Sequence, residues 1–216
     1  MSAPAKLRLA VLISGRGSNM LSIARHCTDG RIAARIARVI ADRPDAAGLA
    51  SAAKLHLPVA IVPRAAYPDR ERFEAALSAQ LDNCAAELVV LAGFMRVLSA
   101  AFTARFAGRL MNIHPSLLPA YRGLHTHRRA LAAGEPRHGA SVHFVTTEVD
   151  GGPVILQAQV PILATDTEQS LAARVLEREH VIFPQAIGWY ADGRLRQQGA
   201  FFVLDGQSHS GPIVAS

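Results

Sequence analysis

The apolar run Leu7 to Ile13 ends in Ser14-Gly15-Arg16-Gly17, and Asn19 to Cys27 then carries helical patterning. A strand, a glycine turn and a helix in this order are the opening of a doubly wound α/β domain. Similar short apolar runs follow at Ala37 to Ala41, Val59 to Val62, Leu88 to Ala92 and Leu110 to Ile113. Helical patterns lie between them. The clearest spans Asp69 to Leu81, with Phe73, Leu77 and Leu81 at i, i+4 and i+8. This alternation predicts a mainly parallel sheet covered on both faces.

After residue 138 the pattern changes. Gly139 to Thr147 and Val154 to Ile162 read as strands joined by Glu148-Val149-Asp150-Gly151-Gly152-Pro153, which predicts an antiparallel hairpin. Thr165 and Glu168 have capping-box spacing and predict a long helix to about Ile182, with Pro184 ending or kinking it. Leu195 to Gln197 and Ala200 to Leu204 predict a last ribbon, and the chain from Asp205 is expected to be loose. The chain therefore reads as one α/β domain over residues 1–205, with halves of about 1–110 and 111–205, and a flexible tail over 206–216.

With 216 residues, 50% hydrophobic and 19% charged, the chain can bury a full core. No stretch reaches the roughly 18 apolar residues of a membrane span. The first apolar run is too short for a secretory leader, so a cytoplasmic protein is expected. Cys27 and Cys84 form neither a disulfide framework nor a metal-spacing pattern. The net charge is +6, and all but Lys6 and Lys54 of the 23 basic residues are arginine. They are scattered, with Arg31, Arg35 and Arg38 the densest group, and aromatics are only 6%. A nucleic-acid footprint clusters on one stripe with aromatics interleaved, so neither nucleic acid nor membrane is expected as a partner.

Three places carry candidate chemistry. The loop Ser14 to Asn19 offers backbone N–H groups and a positive helix end to a phosphate. A dinucleotide fingerprint wants a third glycine where Met20 stands, and no Gly-Lys-Ser/Thr follows. A mononucleotide-type phosphate, a dinucleotide and a plain tight turn stay open. Asp42 stands where an NAD-binding fold puts its ribose acid, but reads more simply as a turn residue before Arg43-Pro44. The second place is Leu110-Met111-Asn112-Ile113-His114-Pro115, a strand whose alternation puts Asn112 and His114 on one face. Ligands of such folds bind outside the carboxyl ends of strands, so this pair suggests an active site. The third is Asp150, which by spacing alone is turn chemistry. His125, His127, His138 and His143 raise a metal hypothesis, but no carboxylate or cysteine sits at a familiar ligand spacing, so no metal is expected.

Taken together, Gly15-Arg16-Gly17-Ser18-Asn19, Leu91-Ala92-Gly93-Phe94-Met95-Arg96, Asn112-Ile113-His114-Pro115-Ser116-Leu117-Leu118-Pro119, Gly123-Leu124-His125-Thr126-His127, and Gly139 through Ser141-Val142-His143-Phe144-Val145 to Asp150-Gly151-Gly152-Pro153 carry a resemblance. Over about residues 7–205 the chain resembles the phosphoribosylglycinamide formyltransferases, folate-dependent enzymes of purine synthesis. The resemblance implies a Rossmann-like formyltransferase fold, with 10-formyltetrahydrofolate as co-substrate and no metal. It implies that Asn112, His114 and Asp150 are catalytic, against the turn reading of Asp150. It implies that Gly17, Ser18, Asn19 and Glu179 hold the phosphoribosylglycinamide. Folate contacts are implied for Arg70, Met95, Arg96, Val97, Leu98, Asn112, Thr146, Thr147, Glu148 and Val149, and the partners become small molecules, with the protein a monomer or homodimer.

Two departures from the family pattern stand out. Leu176 replaces a polar residue near the phosphate, and Arg122 replaces a proline in the mobile loop, where it is expected to touch loop rigidity only. By the resemblance, Asn112 and a protonated His114 stabilise the oxygen of the tetrahedral species, and Asp150 keeps His114 charged and relays a proton. The relatives to weigh against this are a formyltetrahydrofolate hydrolase, which usually has an N-terminal regulatory domain, and methionyl-tRNA formyltransferase, which needs a C-terminal tRNA-binding domain. A non-catalytic nucleotide-binding module is the reading from another class.

Overall fold

A computed structural model describes residues 6–215, and the chain divides into two compact units, residues 1–111 and 112–216. The first holds four strands, β1 (Leu7–Ile13), β2 (Ala34–Ala41), β3 (Val59–Ile61) and β4 (Leu88–Leu91). They lie side by side in the order β4-β1-β2-β3, every pair parallel. Leu9 to Ile13 have no exposed surface, as a central parallel strand buried on both faces requires. Alternating with the strands are α1 (Ser18–Thr28), α2 (Gly48–Lys54), α3 (Arg70–Asn83) and α4 (Ala100–Arg105). Phe73, Leu77 and Leu81 of α3 are buried as their spacing predicts, and Asp69 caps the helix by accepting the Arg72 N–H at 2.7 Å.

Because β1 has β2 on one side and β4 on the other, strand order reverses there, which is where folds of this kind bind ligands. The exits of β1 and β4 are tied together. The Ser14 N–H donates to the Gly93 carbonyl at 3.1 Å, and the Met95 N–H donates to Ser14 Oγ at 2.8 Å.

The second unit takes over within β5 (Leu110–His114) and continues with α5 (Thr126–Ala132), β6 (Arg137–Phe144), β7 (Val154–Pro161) and α6 (Glu168–Ala191). β6 and β7 form the expected antiparallel hairpin, with a bulge between Val142 and His143. The long helix α6 packs on both of its strands. β8 (Leu195–Gln198), β9 (Phe201–Leu204) and β10 (Gln207–His209) make a separate antiparallel sheet. The doubly wound, mainly parallel α/β architecture is therefore present, with the antiparallel additions near the C-terminus.

Three expectations need correction. The residues after Asp205 are not a loose tail: they form β10, and then β11 (Ile213–Ala215), which adds parallel to β7 through Ile213 opposite Leu156 and Ala215 opposite Ala158. An open strand edge presents unpaired backbone groups that such a segment can satisfy. Pro184 does not end α6, which runs on to Ala191. A proline inside a helix costs about 3 kcal/mol, but Ile182, Phe183, Pro184, Ala186 and Ile187 are all buried here, and each large apolar side chain buried returns about 1.5–3 kcal/mol. Finally, the capping box is Thr167 and Ser170, not Thr165 and Glu168. The Ser170 N–H donates to Thr167 Oγ1 at 3.1 Å and the Thr167 N–H to Ser170 Oγ at 3.0 Å. Asp166 just ahead takes both arms of the Arg174 guanidinium at 2.8 Å and the Leu163 N–H at 2.8 Å, which fixes where the helix begins.

Loss of an N-cap hydroxyl typically costs about 0.5–2 kcal/mol. Thr167→Ala is expected to lower unfolding stability by about that amount, whereas Thr165→Ala should stay within about 0.5 kcal/mol of wild type. Denaturant titration of the two variants checks the assignment.

Candidate active site

The polar cluster of the second unit starts on β5. Alternation along that strand puts Asn112 and His114 on the same face, and His114 is 6% exposed. His143, just past the bulge of β6, is 1% exposed. An extra residue in one strand re-aims the side chains around it, and the His143 ring comes to lie with Nε2 3.1 Å from Asn112 Nδ2 and 3.6 Å from Asp150 Oδ1. Nδ1 of the same ring meets the Phe144 carbonyl at 2.9 Å. His114 faces the other carboxylate oxygen, its Nδ1 3.5 Å from Asp150 Oδ2. The Nε2–H of His114 donates to the Tyr121 carbonyl at 3.0 Å.

Asp150 reaches these rings from the β6–β7 turn, with a left-handed φ of 50° that aspartate tolerates better than most residues. A Cβ on Gly152 would meet the Phe144 carbonyl oxygen at 1.9 Å, so only glycine lets the turn fold back this closely. The turn reading and the functional reading of Asp150 are thus one arrangement, in which the turn aims the carboxylate. The Gly123 N–H donates to Asp150 Oδ2 at 2.9 Å. The loop holding Gly123 is in turn tied down by Arg129, which donates to the Arg122 carbonyl at 2.7 Å and lies over the Tyr121 ring at 5.2 Å.

Burial pushes the Asp150 carboxyl up, but the His143 ring, the Gly123 amide and the nearby His114 ring outweigh it, leaving the group below the usual carboxylate range. For His114 burial wins: it pulls the imidazole below its ordinary value, although the Tyr121 carbonyl and the Asp150 charge act to raise it. The substrate-free chain therefore holds an ionised Asp150 beside a neutral His114. This differs from the expectation that Asp150 keeps His114 charged.

Among the residues expected to touch folate, Thr146 is half-buried and Thr147, Glu148 and Val149 are exposed in the turn that carries Asp150. Arg122, expected to affect loop rigidity only, forms an ion pair with Glu148. Glu179 is 7% exposed on α6, one turn after the half-buried Leu176. His125 caps α5 with a φ of 59°. His127 and His138 lie edge to face, ring centroids 5.1 Å apart. Among the described residues no three His, Cys, Asp or Glu side chains are grouped to hold a metal.

The first unit carries the other candidates. Gly17 has a φ of 74° and precedes α1 with no side-chain cap on the helix start, so Ser18 and Asn19 stand at the positively polarised start of α1. A Cβ on Gly17 would come within 2.9 Å of the Gly48 Cα. Gly48, absent from the sequence reading, lets the starts of α1 and α2 approach. Arg70 is exposed at the first position of α3. Met95 and Val97 are exposed apolar residues, 66% and 61%, and Leu98 is buried. Arg96 forms an ion pair with Asp42 at 2.5 Å, whose side chain has no exposed surface. Asp42 is thus a buried counter-ion rather than a turn residue.

A sequence profile of the formyl transferase family matches residues 7–187. The chain belongs to the formyl transferase family. It is 49% identical to the phosphoribosylglycinamide formyltransferase of Escherichia coli K12, over 93% of this chain and 95% of that protein. The solved structure of the Coxiella burnetii phosphoribosylglycinamide formyltransferase superposes with a TM-score of 0.92 at 45% identity, covering 96% of this chain and 98% of that one. A formyltetrahydrofolate deformylase from Burkholderia mallei shares the fold more distantly, with a TM-score of 0.83 at 29% identity, and this chain matches 70% of its length. Among formyl transferases, then, these two relatives, which match more than nine-tenths of this chain and of their own length, are phosphoribosylglycinamide formyltransferases, enzymes of purine biosynthesis.

Burial pulls His138 down to about 4, and the neighbouring His127 and His114 act the same way. A group whose folded value lies below its unfolded value of about 6.5 takes up its proton more readily when unfolded. Its contribution to stability is complete above pH 6.5, declines as pH falls toward 4, and amounts to about 3 kcal/mol over that window. Urea unfolding of wild type and His138→Phe at pH 6.5 and 4.5 is expected to show a flatter pH dependence in the variant; equal slopes would refute the assignment.

Proposed function

We propose that this formyl transferase moves the formyl group of 10-formyltetrahydrofolate to the primary amine of 5-phosphoribosylglycinamide in purine synthesis. The observation that carries the reading is the cluster of Asn112, His114 and Asp150 in a chain aligned over nearly its whole length with relatives of that name.

The amine nitrogen forms a bond to the formyl carbon, and negative charge builds on the formyl oxygen. An N–H of Asn112 donates to that oxygen, joined by the Nδ1–H that His114 gains on protonation; one such donor is worth about 10²- to 10³-fold in rate. His114 starts neutral. An oxyanion at its Nδ1 adds to the Asp150 charge, and both favour the imidazolium, so His114 gains positive character as the tetrahedral species forms. Asp150 accepts the proton leaving the attacking amine, directly or through a water. The carbon–N10 bond then breaks, and the proton taken from the amine passes from the Asp150–His114 pair to the departing folate nitrogen. Holding both substrates in line supplies much of the remaining rate.

The N–H groups at the start of α1, with Gly17, Ser18 and Asn19, receive the ribosyl phosphate, and Glu179 holds the same substrate. Arg70, Met95, Arg96, Val97, Leu98 and the turn Thr146 to Val149 contact the folate. Met95 and Val97 are exposed apolar surface of the kind a flat aromatic ligand covers, and Arg96 offers a cation to its carboxylates.

A spectrophotometric assay of tetrahydrofolate release tests the reading. Release is expected to depend on added phosphoribosylglycinamide and to fall by about 10²-fold or more in kcat for His114→Ala. Release without the acceptor would instead identify a hydrolase.

A further inference from the structure

His143 enters none of the steps above, yet it is the most enclosed of the rings around Asp150, at 1% exposure. Its contacts specify where its proton sits. The Phe144 carbonyl, 2.9 Å from Nδ1, is an acceptor only, so Nδ1 carries the hydrogen. Nε2 is 3.1 Å from Asn112 Nδ2, within hydrogen-bond reach, and 3.6 Å from Asp150 Oδ1, beyond it. Asp150 meanwhile accepts a hydrogen bond from the Gly123 N–H at 2.9 Å.

A neutral imidazole protonated on Nδ1 has a lone pair on Nε2, and that lone pair takes an N–H from the Asn112 amide. We infer that His143 is a positioning residue: through its bare Nε2 it selects which way round the Asn112 amide lies. With the amide nitrogen held on the His143 side, one N–H is occupied and the second is left for the formyl oxygen. The amide turned over would set its carbonyl oxygen against the Nε2 lone pair and take that second N–H away from the reacting oxygen. The β-bulge between Val142 and His143 is the local device that brings the ring to this position, and the Phe144 carbonyl is the device that fixes its tautomer. This inference rests on the donor role proposed above for Asn112.

Two measurements test it. In ¹H–¹⁵N spectra of the substrate-free protein at neutral pH, the His143 ring is expected to show a protonated Nδ1 and a bare Nε2, with the Nε2 resonance shifting in Asn112→Ala. A protonated Nε2 overturns the inference whatever the enzyme's substrate. In steady-state kinetics, His143→Phe is expected to lower kcat by about 10- to 100-fold, the usual effect of losing a supporting partner, with little change in KM for either substrate. His143→Gln, whose side-chain oxygen can still accept from Asn112, should recover part of the loss. In an Asn112→Ala background the His143→Phe change should cost nothing more; an equal loss in both backgrounds means that His143 acts on the fold rather than through the amide. A wild type inactive in formyl transfer defeats the proposed function, and the ring spectra still decide the tautomer.

Discussion

The carboxylate of Asp150 has to stay ionised while half-buried and aimed at two imidazoles, and only a turn folded tightly onto its own strand can hold it there. The Gly152 backbone lies against the Phe144 carbonyl where no side chain fits. The same Phe144 carbonyl fixes the proton of His143. One peptide group thereby positions the carboxylate and the ring beside it. The desolvation cost of the carboxylate is offset by the Gly123 amide, whose N–H donates to it at 2.9 Å, in keeping with the rule that buried charge persists only when paired and hydrogen-bonded. The loop that supplies the Gly123 amide also supplies the Tyr121 carbonyl on His114, so the loop and the His114–Asp150 pair order one another.

Much of this was legible in the residues. Strand alternation alone put Asn112 and His114 together, because period two is a strict geometric rule. The glycine turn after β1 announced the α/β class, because few other arrangements follow an apolar run with a left-handed glycine and a helix. Asp150 was legible only through family resemblance, since aspartate before Gly-Gly-Pro is what a plain turn also requires. His143 was hidden by the bulge, which shifts the register by one and cannot be read from apolar spacing. Arg96 and Asp42 pair across 54 residues, a distance over which local pattern carries no information. Pro184 misled because its local cost is outweighed by the burial of the residues around it. The cap at Thr167 was missed because serine, rather than glutamate, returns its hydrogen bond.

The arginine surplus also reads differently against the structure. Arg31, Arg43, Arg105, Arg174 and Arg194 each lie within 2.8 Å of a carboxylate close by, and most of these pairs are exposed. Exposed pairs contribute about 0–1 kcal/mol each, so they explain little stability. What persists is a net positive charge, which favours the approach of anionic metabolites.

The central claim is that Asp150 acts in the chemical step through its charge, while binding is carried by other residues. Asp150→Asn keeps the shape and removes the charge. Calorimetric binding of both substrates to this variant, followed by a single-turnover measurement with both saturating, tests the claim directly. The account predicts near-normal binding with formyl transfer slowed by orders of magnitude; transfer at the wild-type rate, or binding lost together with the chemistry, would contradict it.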